Sequence, residues 1–231
     1  MARTVGSWFT GICFIMVCVF SGFFGSSGTA WADVYQDISK DLGNDNWKIR
    51  FAAVQKLGTM RDDTRTIDML MKVADDKVEY WPVKIEAIKI LGEIGNPRSV
   101  DVILSVYNDT FLNNECPSIK SFAAAALGGF KSERRIVEAL IEGINDPEVL
   151  TREAAIQSLG KLKDTRAVPP LINALNDRNY TVRLNAIISL GKIQDPQAIP
   201  HLRKISTVEQ DQVLKDTALL ALKSFPSEME R

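Results

Sequence analysis

A pattern that recurs every 31 to 36 residues constrains this chain more than any single motif does. Six copies can be aligned on one basic residue, which is Arg50, Lys84, Lys120, Arg152, Arg183 and Lys215. Every copy has alanine three positions later and leucine seven positions later. A period of this length is typical of chains built from repeated helical pairs.

The repeated columns lie on one side of a helix. At about 100° per residue, the position before the basic residue and those three, four, seven and ten after it share one apolar stripe. A second apolar stripe follows in each copy, for example Val168, Leu171, Ile172 and Leu175. Turn residues separate the two, as at Asn96-Pro97, Asp164-Thr165 and Asp195-Pro196. Because neither helix can bury its stripe alone, we predict an all-α solenoid of stacked pairs.

A glycine column lies eight positions after the basic residue, and its members are Gly58, Gly92, Gly128, Gly160 and Gly191. Each glycine stands near the end of the first helix of its copy. A residue without Cβ there either relieves crowding or helps to bend the chain.

The fifth copy reads Y-T-V-R from Tyr180, reaches Leu190-Gly191 and continues as Ala198-Ile199-Pro200-His201-Leu202. It resembles the HEAT repeat, in particular the short HEAT-like form of phycobilin lyases, with the pattern V-R-x-x-A-A-x-A-L-G, a turn and A-I-P-x-L. The resemblance covers about residues 46–225. It implies an α-solenoid of about five HEAT-like helical hairpins plus a closing half repeat. It does not imply one activity, since the family includes scaffolds and lyase subunits.

The first 32 residues have the features of a secretory signal peptide. Arg3 precedes an apolar run from Ile12 to Phe24, and Ala30-Trp31-Ala32 forms a small-residue cleavage site. We expect cleavage after Ala32, a periplasmic or secreted location, and no membrane attachment afterwards. An uncleaved anchor is the alternative, although a span needs about 20 apolar residues. The solenoid domain is then 33–231, with a capping helix that carries Val34, Ile38 and Leu42 and with a short polar tail.

Charge and residue usage argue against several function classes. The net charge of −1 does not favour nucleic acid as a partner. His201 is the single histidine, and Cys116 is the single cysteine after the predicted leader. The sequence has no phosphate-binding loop, nucleophile elbow or zinc-protease motif. It also lacks the His-Glu pairs that HEAT-fold enzymes such as deoxyhypusine hydroxylase carry on their iron site. We therefore predict no catalytic residues, no metal and no cofactor.

The aligned basic column lies close to the buried stripe, so its charges need partners. An aspartate precedes each of the first five basic residues, at Asp45, Asp76, Asp109, Asp146 and Asp177. We expect an acid-to-base ladder between repeats and favour it over a ligand site.

A second basic column opens the second helices, at Arg65, Arg98, Arg134 and Arg166. The resemblance implies that second helices line a concave face, so these arginines would border a groove. One interpretation is that they meet carboxylates of a partner, and the other is a solvated surface. Further candidates on the second helices are Glu138, Asn173 and His201. Phe111 and Leu112, in the irregular segment 109–117, are candidates for a contact outside the groove.

The main hypothesis is an exported, non-enzymatic adaptor that binds a protein or peptide along its concave face. The competing hypothesis is a subunit of a phycobilin lyase-like or other chromophore-handling enzyme. A purely structural envelope component is a third possibility that the sequence does not separate from the first.

Overall fold

The structure is a computed structural model that describes residues 27–110 and 116–226. The regular structure of this part of the chain is helical throughout. In chain order the helices are α1 (Ser27–Leu42), α2 (Trp47–Leu57), α3 (Thr64–Asp75), α4 (Trp81–Ile94), α5 (Val100–Asn108), α6 (Pro117–Leu127), α7 (Arg134–Gly143), α8 (Val149–Leu162), α9 (Val168–Ala174), α10 (Tyr180–Ile193), α11 (Ile199–Val208) and α12 (Gln212–Lys223).

The order of the helices confirms the predicted architecture. The helices from α2 to α11 form five consecutive pairs, and α12 is the closing half repeat. Most of the predicted signal peptide lies outside the described residues. Because α1 begins at Ser27, it spans the predicted cleavage point after Ala32. Cleavage stays a prediction.

The described chain forms two compact units that divide between Ala53 and Val54. In the first unit, α1 buries Ile38 of its predicted apolar stripe and also the neighbouring Tyr35. At the start of α2, Arg50 donates from Nη1 to the carbonyl oxygens of Asn44 and Asp45, at 2.8 and 3.1 Å. This basic residue therefore closes the loop that precedes its own helix.

In the second unit the first helices of successive repeats pack in a row, α4 on α6, α6 on α8, α8 on α10 and α10 on α12. Each second helix packs on the first helix of the next repeat, so α3 contacts α4, α5 contacts α6, α7 contacts α8, α9 contacts α10 and α11 contacts α12. We call the first arrangement the first-helix row. The surface formed by α3, α5, α7, α9 and α11 is the second-helix face.

Local hydrogen bonds explain where the second helices begin. The side chains of Asn96, Asp164 and Asp195 each accept the backbone N–H two residues further on. Each leads into one turn of 3₁₀ helix and then into α5, α9 or α11. Asp63 caps α3 in the same way. Short polar side chains at this position satisfy backbone donors that a helix start leaves unpaired, which confirms the predicted turns.

The alanine and leucine columns are buried along the described chain. All six alanines are at most 3% exposed, and the first five leucines are fully buried. Burying one leucine side chain contributes about 1.5–3 kcal/mol, so this column is a large part of the stabilisation. Only Leu222, on the last helix, is half-buried.

The glycine column marks the closest approach between neighbouring first helices. A Cβ added to Gly92 would lie 2.6 Å from Cα of Ala126, and one added to Gly128 would lie 2.5 Å from Oγ of Ser158. Gly160 meets Ser189 in the same way. Ser158 in turn donates to the carbonyl oxygen of Ala124 at 2.8 Å. Of the two roles predicted for these glycines, relief of crowding is the one that the structure explains.

None of the described helices is both long enough and apolar enough to span a membrane.

Candidate binding surface

Two members of the aligned basic column, Lys120 and Arg152, form the expected ladder, with one change in register. Lys120 Nζ lies 2.6 Å from Asp146 Oδ2, and Arg152 Nε lies 3.0 Å from Asp177 Oδ2. In both pairs the carboxylate belongs to the repeat after the base, although the sequence analysis placed each aspartate beside the base that follows it. The difference arises because the side chain of the loop aspartate turns back towards the preceding repeat.

Each loop aspartate nevertheless serves both repeats. The carbonyl oxygen of Asp146 accepts from Arg152 Nη1 at 2.9 Å, while its carboxylate holds Lys120. Asp177 repeats the arrangement, with its carbonyl on Arg183 Nη1 and its carboxylate on Arg152. Burial raises the pKa of the Asp177 carboxyl, but hydrogen bonds from Asn179 N–H and Arg152 outweigh it and lower the pKa overall. Lys120 and Arg152 are therefore committed to joining repeats.

Lys84 occupies the same column and is the most buried charged residue of the described chain, at 1% exposure. Its Nζ donates to the carbonyl oxygen of Ala74 at 2.9 Å. Burial lowers the pKa of the Lys84 ammonium, against the opposing fields of Asp76 and other nearby acids. Its enclosure leaves it no access to a ligand.

The arginines of the second basic column, which were predicted to border a groove, all bind acids of their own chain. Arg65 Nη2 lies 2.6 Å from Asp63 Oδ2, and Arg166 Nη2 lies 2.7 Å from Asp164 Oδ2, so both return to the aspartate that caps their own turn. The hydrogen bond from Arg166 lowers the pKa of the Asp164 carboxyl, and burial opposes it only in part.

The other two predicted arginines are also paired. Arg134 pairs with Glu138 one turn along α7, which brings together two predicted site residues. Arg98 on the turn before α5 reaches Asp68 on α3 at 2.7 Å. Arg135 on α7 reaches Asp101 on α5 at 2.6 Å. The second-helix face is thus bridged by ion pairs from α3 to α7.

A cleft of about 380 Å³ opens on this face between α9 and α11. Apolar and polar side chains of both helices and of the turns that follow them line the cleft. They are Ile172, Leu175, Asn176, His201, Lys204, Ile205, Val208, Glu209 and Gln210. The helix α9 spans only Val168–Ala174, the shortest α-helix of the described chain, and it begins with Pro169 and Pro170 in its first turn.

The cleft contains one lysine and one glutamate, Lys204 and Glu209, besides His201. Within the described residues, neither His201 nor Lys204 forms an ion pair. The acid of the cleft, Glu209, accepts the backbone N–H groups of Gln210 and Asp211 at 2.9 and 3.3 Å. Its carboxylate is therefore engaged at the start of α12, and Lys204 remains available to an external carboxylate.

A family model for HEAT repeats matches residues 38–111, 109–171 and 137–223, which together are most of the chain. The chain belongs to the HEAT-repeat proteins. A comparison with curated proteins gives no match.

Solved structures with the same helical-repeat fold include phycocyanin lyase of Nostoc sp., determined as the complex of CpcE and CpcF. It is 22% identical, with a TM-score of 0.57 over 80% of this chain and 74% of that one. An engineered protein is 18% identical, with a TM-score of 0.56 over 83% and 96% of the two chains. A designed armadillo repeat protein in complex with the peptide (KR)4 is 18% identical, with a TM-score of 0.54 over 82% and 98%. At these identities the likeness shows the fold.

Among the remaining predicted site residues of this HEAT-repeat chain, some line the cleft and others do not. His201 lines the α9–α11 cleft. Asn173 is exposed on α9, but Asn176, almost one turn further along, lines the cleft instead. Phe111 and Leu112 lie outside the described residues.

The first helices of the HEAT repeats also expose apolar groups. Phe122 on α6 is 37% exposed and stands between two shallow grooves of about 360 and 310 Å³, against α4 and α8 respectively. Leu150 at the start of α8 is 58% exposed beside the second groove. Neither residue belongs to an apolar stripe of the repeat, so neither was predicted as a site residue.

No group of three or more potential metal-ligating side chains occurs within 27–110 and 116–226.

Proposed function

We propose that this HEAT-repeat chain is a scaffold without catalytic activity that binds a protein or peptide segment in the cleft between α9 and α11. The observation that carries the proposal is the combination of an apolar lining with the free cation Lys204 at the same opening. A ligand segment that fits this chemistry has an apolar side chain next to an aspartate or glutamate.

The energetics of such a contact are those of a modest peptide site. Burying one leucine-sized side chain contributes about 1.5–3 kcal/mol. A carboxylate opposite Lys204 adds orientation and a faster association rate more than affinity. The arginines from α3 to α7 add little, because an incoming carboxylate would have to displace an acid already bound to each of them.

The designed armadillo repeat protein in complex with the peptide (KR)4 supports the general mode, since a protein of similar fold binds a peptide. That peptide is basic, whereas the cleft here is lined by Lys204. We therefore expect the opposite charge preference in this chain.

Selection from a peptide library displayed on phage tests the proposal directly. We expect enriched peptides that contain an apolar residue beside an acid. The Lys204→Glu variant should bind a selected peptide at least about tenfold more weakly, which corresponds to about 1.4 kcal/mol. Lys192→Glu, an exposed lysine on α10, is the matched control and should bind as the wild type does. Enrichment of no common motif, or equal binding by both variants, would contradict the cleft as the site.

The likeness to phycocyanin lyase supplies a second test, directed at the absence of catalysis. Incubation of the protein with a bilin and an apo-phycobiliprotein should leave the chromophore unattached. Covalent attachment would overturn the scaffold proposal in favour of a chromophore-handling enzyme.

Export is part of the same proposal and is supported by Arg3, the apolar run from Ile12 to Phe24 and the Ala30-Trp31-Ala32 site. Mass spectrometry of the protein from a cell-envelope fraction should find Asp33 at the N-terminus. Recovery of the intact leader in membranes would support an uncleaved anchor instead.

A further inference from the structure

The last helix, α12, exposes a column that the other repeats bury. Four positions after the aligned basic residue, the first five repeats have apolar residues that are at most 1% exposed, namely Val54, Ile88, Ala124, Ile156 and Ile187. The sixth member of this column, Leu219, is 46% exposed. Leu220 beside it is 68% exposed. The stacking face of α12 is thus an uncovered apolar surface.

The exposed side of α12 forms a narrow stripe. At about 100° per residue, Asp216, Leu219, Leu220 and Lys223 fall within an arc of about 100° on the helix surface. The opposite side of the helix is the buried one, where Leu214, Ala218 and Ala221 pack with at most 7% exposure. The stripe is therefore oriented away from the rest of the fold.

The two charges of the stripe have no ionic partner in the described residues. Asp216 Oδ1 accepts a hydrogen bond at 2.9 Å from Gln212 Nε2, and this side-chain amide is a neutral donor. Lys223 is exposed in the last turn and forms no ion pair with any residue of 27–110 or 116–226. The stripe thus has an acid at one end, two leucines in the middle and a base at the other end.

This order is complementary to itself when reversed. If a second α12 lies antiparallel across the stripe, Leu219 of one copy faces Leu220 of the other. The same register sets Asp216 of each copy opposite Lys223 of the other copy. A contact of this kind is isologous, with one patch used twice around a two-fold axis.

We infer that two copies of this chain associate through an antiparallel contact between their α12 helices. The contact buries the exposed leucines and satisfies both charges with a single symmetric patch. One pair of short helices is a small interface, and small interfaces are reversible. The inference is independent of the proposed function, because no residue of the stripe lines the α9–α11 cleft.

Sedimentation equilibrium of the purified protein over a range of concentrations tests this inference. We expect a reversible dimer for the wild type and a monomer for Leu219→Glu. Asp216→Lys and Lys223→Asp should each weaken the dimer at least about tenfold, because each places two like-charged pairs in the contact. The double variant D216K/K223D should restore the dimer, since it only exchanges the two ends of the stripe.

Two controls keep the result interpretable. Thermal unfolding followed by circular dichroism checks that each variant is folded, and Lys192→Asp is a charge change outside the stripe that should leave the dimer intact. A wild-type protein that stays monomeric at high concentration would overturn the inference. Failure of the double variant to recover relative to both single variants would overturn the antiparallel register.

Discussion

The first-helix row and the second-helix face come from the same repeats, yet their neighbours are joined in different ways. In the row, backbones touch at Gly92 and Ala126, and the Arg152–Asp177 pair is almost enclosed, with side chains 5% and 16% exposed. On the face, neighbouring helices are linked by solvated pairs such as Arg98–Asp68, at 54% and 47%. Helices of the row are held by close backbone contact and enclosed ion pairs. Helices of the face are linked only by solvated pairs, which leave room for a cleft between two of them.

The largest expected effect comes from breaking a buried link of the row. Arg152→Met removes the donor to two loop carbonyl oxygens and the cationic partner of the Asp177 carboxylate, which keeps only its hydrogen bond from the Asn179 N–H. Removing one partner of an enclosed ion pair costs about 3–5 kcal/mol. Urea unfolding should show this loss, and Arg134→Ala on the solvated face should cost about 0.5 kcal/mol or less. Similar costs for the two variants would remove the distinction between row and face.

The glycine contact tests the steric part of the comparison. Gly92→Ala forces a methyl group into the backbone of Ala126 and should destabilise by about 1–3 kcal/mol, as overpacking does. Gly58→Ala is the matched control, because the added Cβ meets the end of the flexible Ile90 side chain at 3.0 Å. The control should be close to neutral in chemical unfolding. Equal destabilisation would show that backbone conformation, and not helix contact, selects glycine in this column.

Lys84 tests whether the burial of a charged group in the first-helix row changes how the free energy of unfolding depends on pH. Because burial lowers the pKa of its ammonium below the ordinary 10.5, the unfolded chain binds more protons between the lowered pKa and that value. The free energy of unfolding should therefore rise with pH in this window, by no more than about 1.4 kcal/mol per pH unit. Unfolding at a series of alkaline pH values up to about pH 10.5 measures the rise, which Lys84→Met should lack. An identical pH dependence in both proteins would contradict the assignment.

Thr151 on α8 destabilises the first-helix row, and replacing it should increase the difference in stability between the row and the second-helix face. It is fully buried, and its Oγ1 has no hydrogen-bond partner within the described residues. Thr151→Val should stabilise by about 1 kcal/mol, because a buried hydroxyl without a partner costs free energy. The control is Thr66→Val, where Oγ1 donates to the carbonyl oxygen of Met60 at 2.8 Å. Thr66→Val should lose stability. Differential scanning calorimetry of both variants measures the two changes.

The smallest effect is expected on the face. Arg98→Ala removes the solvated link to Asp68 and should change the free energy of unfolding by about 0.2–1 kcal/mol, with the effect falling as salt is added. Chemical unfolding at low and high ionic strength gives both numbers. A loss as large as that of Arg152→Met would mean that the face is held as firmly as the row.

Sequence periodicity was sufficient for the fold, because alanine, leucine and turn residues report helix faces and helix ends locally. It was insufficient for side-chain partners across repeats. The distance between Asp177 and Arg152 depends on how neighbouring pairs stack, and the column alignment assigned that aspartate to Arg183 instead. The acids that neutralise Arg98 and Arg135 are Asp68 and Asp101, and each belongs to the repeat before its arginine. Because these pairs also depend on stacking, the predicted arginine groove looked more available than it is.

The candidate site shows the same limit. His201 was predicted on the correct helix, but the cleft beside it depends on the shortness of α9 and on the loop around Glu209. Neither feature follows from the apolar pattern. The one signal available in the sequence was Pro169-Pro170, which marks the start of a helix without giving its length.

The glycine contacts also make two successive boundaries alike. Gly128 meets Ser158, and Gly160 meets Ser189, so both are built from the same pair of residue types. The loop aspartates Asp146 and Asp177 likewise present the same groups to the repeats on either side. The repeat between these two boundaries, α8 with α9, can therefore be lost or duplicated in evolution without creating a new kind of boundary. At this place the array can change its length while the junction keeps its chemistry.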